Sequence, residues 1–137
     1  KKKFFPNIDS RSQDIVLTFR NTHNLVKRGI AEKVYREVHR ILVDGGTLGV
    51  VQHRASKIDV FDKDKYTGYL PEKYVINLIE NCGFKLVEKS DINSNFKDKK
   101  NYQGGVWSLP PTLRSGKKKH YISIGESDRM TLRFIKK

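Results

Sequence analysis

The chain has 137 residues, 36% hydrophobic and 31% charged, which is enough apolar material for the core of one small domain and hardly two. Cys82 is the single cysteine, so an internal disulfide and a cysteine-cluster metal site are excluded; no apolar run approaches the roughly 20 residues that span a bilayer. Lys and Arg number 28 against 15 Asp and Glu, a net charge of +13 that favours anionic partners. With no signal-peptide pattern at the start, a cytoplasmic location, no membrane partner and no metal are expected.

Residues 14–19, DIVLTF, are apolar on both faces of any strand, and this pattern predicts a strand buried on both sides in a parallel sheet. It ends abruptly in Arg20, Asn21, His23 and Asn24. From residue 25 to 42, Val26, Ile30, Val34, Val38 and Ile41 recur every three or four positions, which predicts one amphipathic helix stopped by Asp44, Gly45 and Gly46. A second strand is expected over residues 47–51, followed by Gln52, His53 and Arg54, so that strand, helix and strand make a right-handed βαβ unit.

Residues 56–70 carry charge and no period, and read as a loop. Within them DKDKYTG has alternating carboxylates but a glycine misplaced for a calcium loop. Pro71 opens a second helix, with Tyr74, Val75, Leu78, Ile79 and Cys82 on its inner face and Gly83 ending it. Strands follow over residues 84–92 and 130–135, the latter alternating Met130, Leu132 and Phe134 with Thr131 and Arg133. Some 35 residues between them lack a period, and connections of that length are usually functional or disordered.

In an open parallel sheet, ligands bind where the carboxyl ends of the strands release their loops. Arg20, Asn21, His23 and Asn24 from the first strand and Gln52, His53 and Arg54 from the second therefore converge on one rim. A bland role competes for each: Asn21, Thr22 or Asn24 would cap the next helix, and either histidine alone would satisfy a structural hydrogen bond. Taken jointly, His23 and His53 read as an acid or base pair with values near 6.5. Arg20 is harder to dismiss, since a cation after a buried strand needs an anion or water. No glycine-rich dinucleotide motif, P-loop, zinc spacing or serine-nucleophile motif is present.

The succession DIVLTFRN, amphipathic helix, ILVDGGTLGVV, a helix ending NCGFKLV, and DRMTLRFIKK resembles the C-terminal half of class I S-adenosylmethionine-dependent methyltransferases. A bacterial family described only as predicted methyltransferases is the nearer match, through LTFRNTHN, GVVQHRA, GYLPEKYVI, GVWSLPPTLR and IGESDRM. The resemblance runs from Asp14 onward and implies an α/β, Rossmann-like class I methyltransferase fold, partial: C-terminal strands with flanking helices, mostly parallel, with an antiparallel final strand inserted between the second and third. It also implies that residues 1–137 are the C-terminal half of one domain, whose N-terminal half holds the cofactor on a glycine-rich turn and an acidic residue. Residues 1–13 contain no glycine, so that cradle is expected to be absent.

What the resemblance implies for function is methyl transfer from S-adenosylmethionine to a small-molecule acceptor, with residues 1–137 inactive alone. Phe19 and Arg20 would border the cofactor's methionine end. Arg20, Asn21, Asn24, Arg54 and Trp107 would bind the acceptor, and His23 and His53 would be catalytic. The missing N-terminal half is the expected partner, because residues 14–19 would otherwise leave an open strand edge that invites a homodimer. Two other readings remain. Residues 96–121 mix Lys97, Lys99, Lys100 and Arg114 with Tyr102 and Trp107, a composition that binds nucleic acid by charge and stacking; the last reading is a silent assembly module.

Overall fold

A computed structural model describes residues 4–57, 61–62 and 64–137; the basic run at residues 1–3 and part of the loop over 56–70 lie outside the described residues. In chain order the elements are β1 (Gln13–Phe19), α1 (Thr22–Lys27), α2 (Ala31–Ile41), β2 (Leu42–His53), α3 (Glu72–Glu80), β3 (Phe84–Ser90), a 3-10 helix (Gly105–Ser108), α4 (Lys119–Ile124) and β4 (Arg129–Lys136). They form one four-stranded sheet ordered β1-β2-β4-β3. β1 and β2 pair in parallel, and β4 runs antiparallel to both β2 and β3, so the last strand is inserted between the second and third as expected.

The alternation of each strand decides what its two faces meet. Leu48 pairs with Phe134 and Val50 with Leu132, and these side chains meet Tyr35, Val38, Val75 and Ile79 from the helices in one core. Tyr35, Phe84 and Phe134 are among its fully buried members, each stabilising the fold by roughly 1.5–3 kcal/mol through the apolar surface removed from water. Tyr35 carries its hydroxyl inside: it shares a 2.6 Å hydrogen bond with Thr22 Oγ1, and burial pushes the phenol up to about 12.

The opposite face differs. Ile15, Leu17 and Phe19 are 60%, 59% and 59% exposed, so β1 is an edge strand with one covered face, not the doubly buried strand its composition predicts. Residues 4–10 do not cover that edge: Phe5 packs on the helix side, and Arg40 donates to the carbonyls of Phe5 and Ile8.

The single helix expected over 25–42 is two. Gly29 adopts φ +70 between α1 and α2, and the chain is already extended at Leu42. Asp44, Gly45 and Gly46 do not stop a helix; between Gln13↔Leu42 and Ile15↔Thr47 they bulge out of the parallel pairing. The long connection between β3 and β4 carries its own 3-10 helix and α4. Among the described residues no helix is long and apolar enough to cross a membrane, and no group of three or more His, Cys, Asp or Glu is placed to hold a metal ion.

Candidate functional site

At the carboxyl ends of β1 and β2 lies a cleft of about 340 Å³, whose walls include Phe19, Arg20, His23, Asn24, His53 and Trp107. β1 ends by placing Arg20 in the left-handed region (φ +53), with its N–H donating to Val51 O at 2.7 Å. This turn starts α1 at once and brings His23 over the end of β2. Asn21 takes the N-cap position, but its side chain makes no cap hydrogen bond.

Gln52 orients His23. Its Nε2 donates to Gly68 O at 2.9 Å, which leaves Oε1 to accept from the His23 backbone N–H and from Nδ1 at 3.2 Å. His53, one residue later and on the other face, has Nδ1 2.6 Å from Ser127 Oγ, and Arg129 Nε donates to that same hydroxyl at 3.2 Å. Neither Nε2 has a hydrogen-bond partner among the described residues, and the ring centroids lie 5.3 Å apart.

Electrostatics correct the expectation of two imidazoles near 6.5. Burial pushes His23 down, against the opposing effect of its bond to Gln52. Burial, together with repulsion from His23, Arg129 and Arg20, pushes His53 down to about 3. Both shifts favour the neutral ring, which can donate or accept a hydrogen bond, and a base as weak as His53 gives proton abstraction little driving force.

Trp107 forms the far wall, with its ring centroid 5.8 Å from His23 and 4.9 Å from Tyr66. Two glycines seat it. A Cβ at Gly68 would lie 2.4 Å from Val106 and 3.3 Å from the indole, and one at Gly105 would lie 2.7 Å from Thr67 O. The Tyr66 hydroxyl donates to Asn24 Oδ1, and Arg114 stacks 4.8 Å over the indole.

Arg54 departs from the expectation. It reaches the same end of the sheet as Arg20, but its guanidinium turns away from this cleft to Asp128 (3.0 Å twice), Glu72 (3.0 Å) and Ser94 (2.8 Å). Asn21 also lies outside the cleft, in a groove beside β1 and α2. Conversely, Tyr66, Ser127 and Arg129 join the cleft without having stood out in the sequence, and Arg114, which stood out there only as part of the basic aromatic tract, joins it too. Arg129 stands opposite His53 on β4, and the antiparallel course of that strand is the signal that its first residue returns to the rim. As for the basic aromatic tract, Phe96 beside Lys97 and Lys99 is 97% exposed, but Tyr102 packs on Tyr121, Trp107 lines the cleft and Lys100 is paired with Asp128 at 2.8 Å. It offers little open stacking surface.

Among solved structures, an S-adenosylmethionine-dependent methyltransferase from Methanosarcina mazei matches with a TM-score of 0.59 at 12% identity, over 95% of this chain and 62% of that one. The chain has the methyltransferase fold, in part. A possible histamine N-methyltransferase from Thermotoga maritima gives 0.57 at 17% identity over 96% and 59%, and the cyclase SpnF gives 0.59 at 14% over 95% and 52%. The chain thus spans between 52 and 62% of the length of these structures. No family model and no curated protein matches the sequence. Identities this low speak for the methyltransferase fold alone, and SpnF illustrates that one fold hosts different chemistries.

Proposed function

We propose that the chain is the acceptor-side, C-terminal half of an S-adenosylmethionine-dependent methyltransferase domain in the cytoplasm, acting on a small molecule and inactive by itself. One observation supports it above others: Phe19, Arg20, His23, His53 and Trp107, from three separate stretches, meet in a cleft the size of a small ligand at the strand ends of this fold.

The residues present do not make a complete cofactor site. Phe19 and Arg20 offer one wall at an edge strand, no glycine-rich turn follows β1 or β2, and Glu126, the one carboxylate lining the cleft, is ion-paired with Arg129 rather than free for ribose hydroxyls. The methyl donor's cradle is therefore assigned to an N-terminal half. The outer edge of β1 and its bare Ile15, Leu17 and Phe19 are where that half, or failing it a second copy of the chain, would pair.

In this reading S-adenosylmethionine supplies an electrophilic methyl group, and the residues of the cleft align the acceptor. Alignment alone removes several kcal/mol of barrier when it enforces a near-attack geometry. The neutral His23 and His53 suit that role, because each is fixed through one nitrogen and keeps Nε2 to hold an acceptor hydroxyl or amine. Incubating a longer polypeptide that includes the N-terminal half with methyl-labelled S-adenosylmethionine and pooled metabolites tests the proposal. Label is expected in a low-mass product and is expected to fall when His53→Phe removes the ring nitrogens. Label in nucleic acid, or none in any product, contradicts it.

A further inference from the structure

We propose that the ligand of this cleft is a small organic anion, a carboxylate or phosphate monoester on an apolar body, held by Arg20 and Arg114; this rests on the cleft being the acceptor site. Three arginines and one glutamate are the charged residues of its lining. Glu126 is paired with Arg129, whose Nε is also bonded to Ser127. The guanidiniums of Arg20 and Arg114 make no hydrogen bond or ion pair among the described residues; that of Arg114 lies over the Trp107 ring.

Arg20 and Arg114 are exposed, so water solvates them when the cleft is empty; what sets them apart is that both line one concave site, whereas the half-buried arginines of the chain are already engaged. Arg40 engages Glu37 and three oxygens of residues 5–10, and Arg54 uses all three of its nitrogens. Two cations at the mouth of a concave site, beside neutral imidazoles, raise the local concentration of anions and offer the planar fork that matches a carboxylate or phosphate. The lining is mostly polar, with a smaller apolar part. Phe19, Val106, Pro110, Pro111 and Trp107 supply that apolar part, against which the body of the ligand would rest, and about 340 Å³ admits a molecule of metabolite size.

Trp107 is the sole tryptophan, so its fluorescence reports on the cleft without a label. The protein is titrated with phenylacetate, phenyl phosphate, the neutral isostere phenylacetamide, and S-adenosylhomocysteine, with no methyl donor present. One or both anions are expected to bind at least tenfold tighter than the amide, about 1.4 kcal/mol, and the stronger of the two names the headgroup. Arg20→Met and Arg114→Met, both at exposed positions, are each expected to narrow that preference several-fold, and together to abolish it. Equal affinity for acid and amide, a preference that survives the double substitution, or a response to S-adenosylhomocysteine alone overturns the inference. Because no transfer is involved, anion selectivity without methylation would leave this inference standing while removing the methyltransferase reading; methylation without anion selectivity would do the reverse.

Discussion

His53 and Arg54 are consecutive residues at the end of β2, yet they belong to two regions built on opposite rules. On the His53 side the rings are fixed through one nitrogen each, and two arginines stand unpaired around a cleft. On the Arg54 side nearly every group is used. Asp128, 10% exposed, accepts two bonds from Arg54, one from Lys100 at 2.8 Å and one from the Asn95 N–H at 2.9 Å. Buried Asp98 alongside accepts from Tyr69 and from the Asp128 N–H. A saturated network holds the long β3–β4 connection in place, while the groups beside it around the cleft keep bonding capacity, which is what the proposed ligand would use.

The comparison breaks most visibly at Asp128. Asp128→Ala would leave the half-buried Lys100 without its ion-pair partner and Arg54 with Glu72 and Ser94 alone, and is expected to cost about 3 kcal/mol, the low end for breaking a buried pair and still a large share of a small domain's stability. Urea denaturation should show that loss, while the Arg54 side contributes nothing to the cleft's choice between acid and amide. Gly105→Ala is expected to cost about 1–3 kcal/mol, because its φ of +66 and the 2.7 Å approach of Thr67 O leave no room for Cβ. Displaced Trp107 fluorescence would accompany it.

Acid should separate the regions by pH window. His53 holds its proton less well folded, about 3, than unfolded, near 6.5, so the unfolded chain binds the extra proton and stability falls as pH drops from about 6.5, by on the order of 1 kcal/mol per unit. His53→Gln should flatten that slope. Asp128 works lower down. Burial alone would raise its carboxyl, but the bonds from Arg54 and Lys100 outweigh it and bring the value to about 2. Its contribution is complete above about pH 4 and is lost as pH falls toward 2. The smallest effect is expected at Arg20. Arg20→Met should change stability by no more than about 0.5 kcal/mol, the usual range for an exposed side chain without partners, while it weakens anion binding in the cleft.

Much of this is legible in the sequence. Apolar runs locate the four strands, and the polar clusters that end β1 and β2 locate the rim. The helix break at Gly29 is hidden because Val26, Ile30, Val34 and Val38 keep their spacing straight across it. Position along the chain misleads for Arg54: successive residues of an extended chain point to opposite sides, so Arg54 could not share the cleft with His53. The double-sided apolar pattern of β1 describes the residues correctly, but no surface among those described covers Ile15, Leu17 and Phe19. Arg114 and Ser127 sit in aperiodic loop, where spacing carries no information about what folds back on the rim.

The division of labour within the proposed domain is tested most directly by calorimetric titration of S-adenosylmethionine into the 137-residue chain and into a longer polypeptide carrying an N-terminal half. The account predicts no saturable binding at micromolar concentrations for the chain alone, because β1 offers one wall and no cradle, and micromolar binding for the longer one. Micromolar affinity in the chain by itself would contradict it.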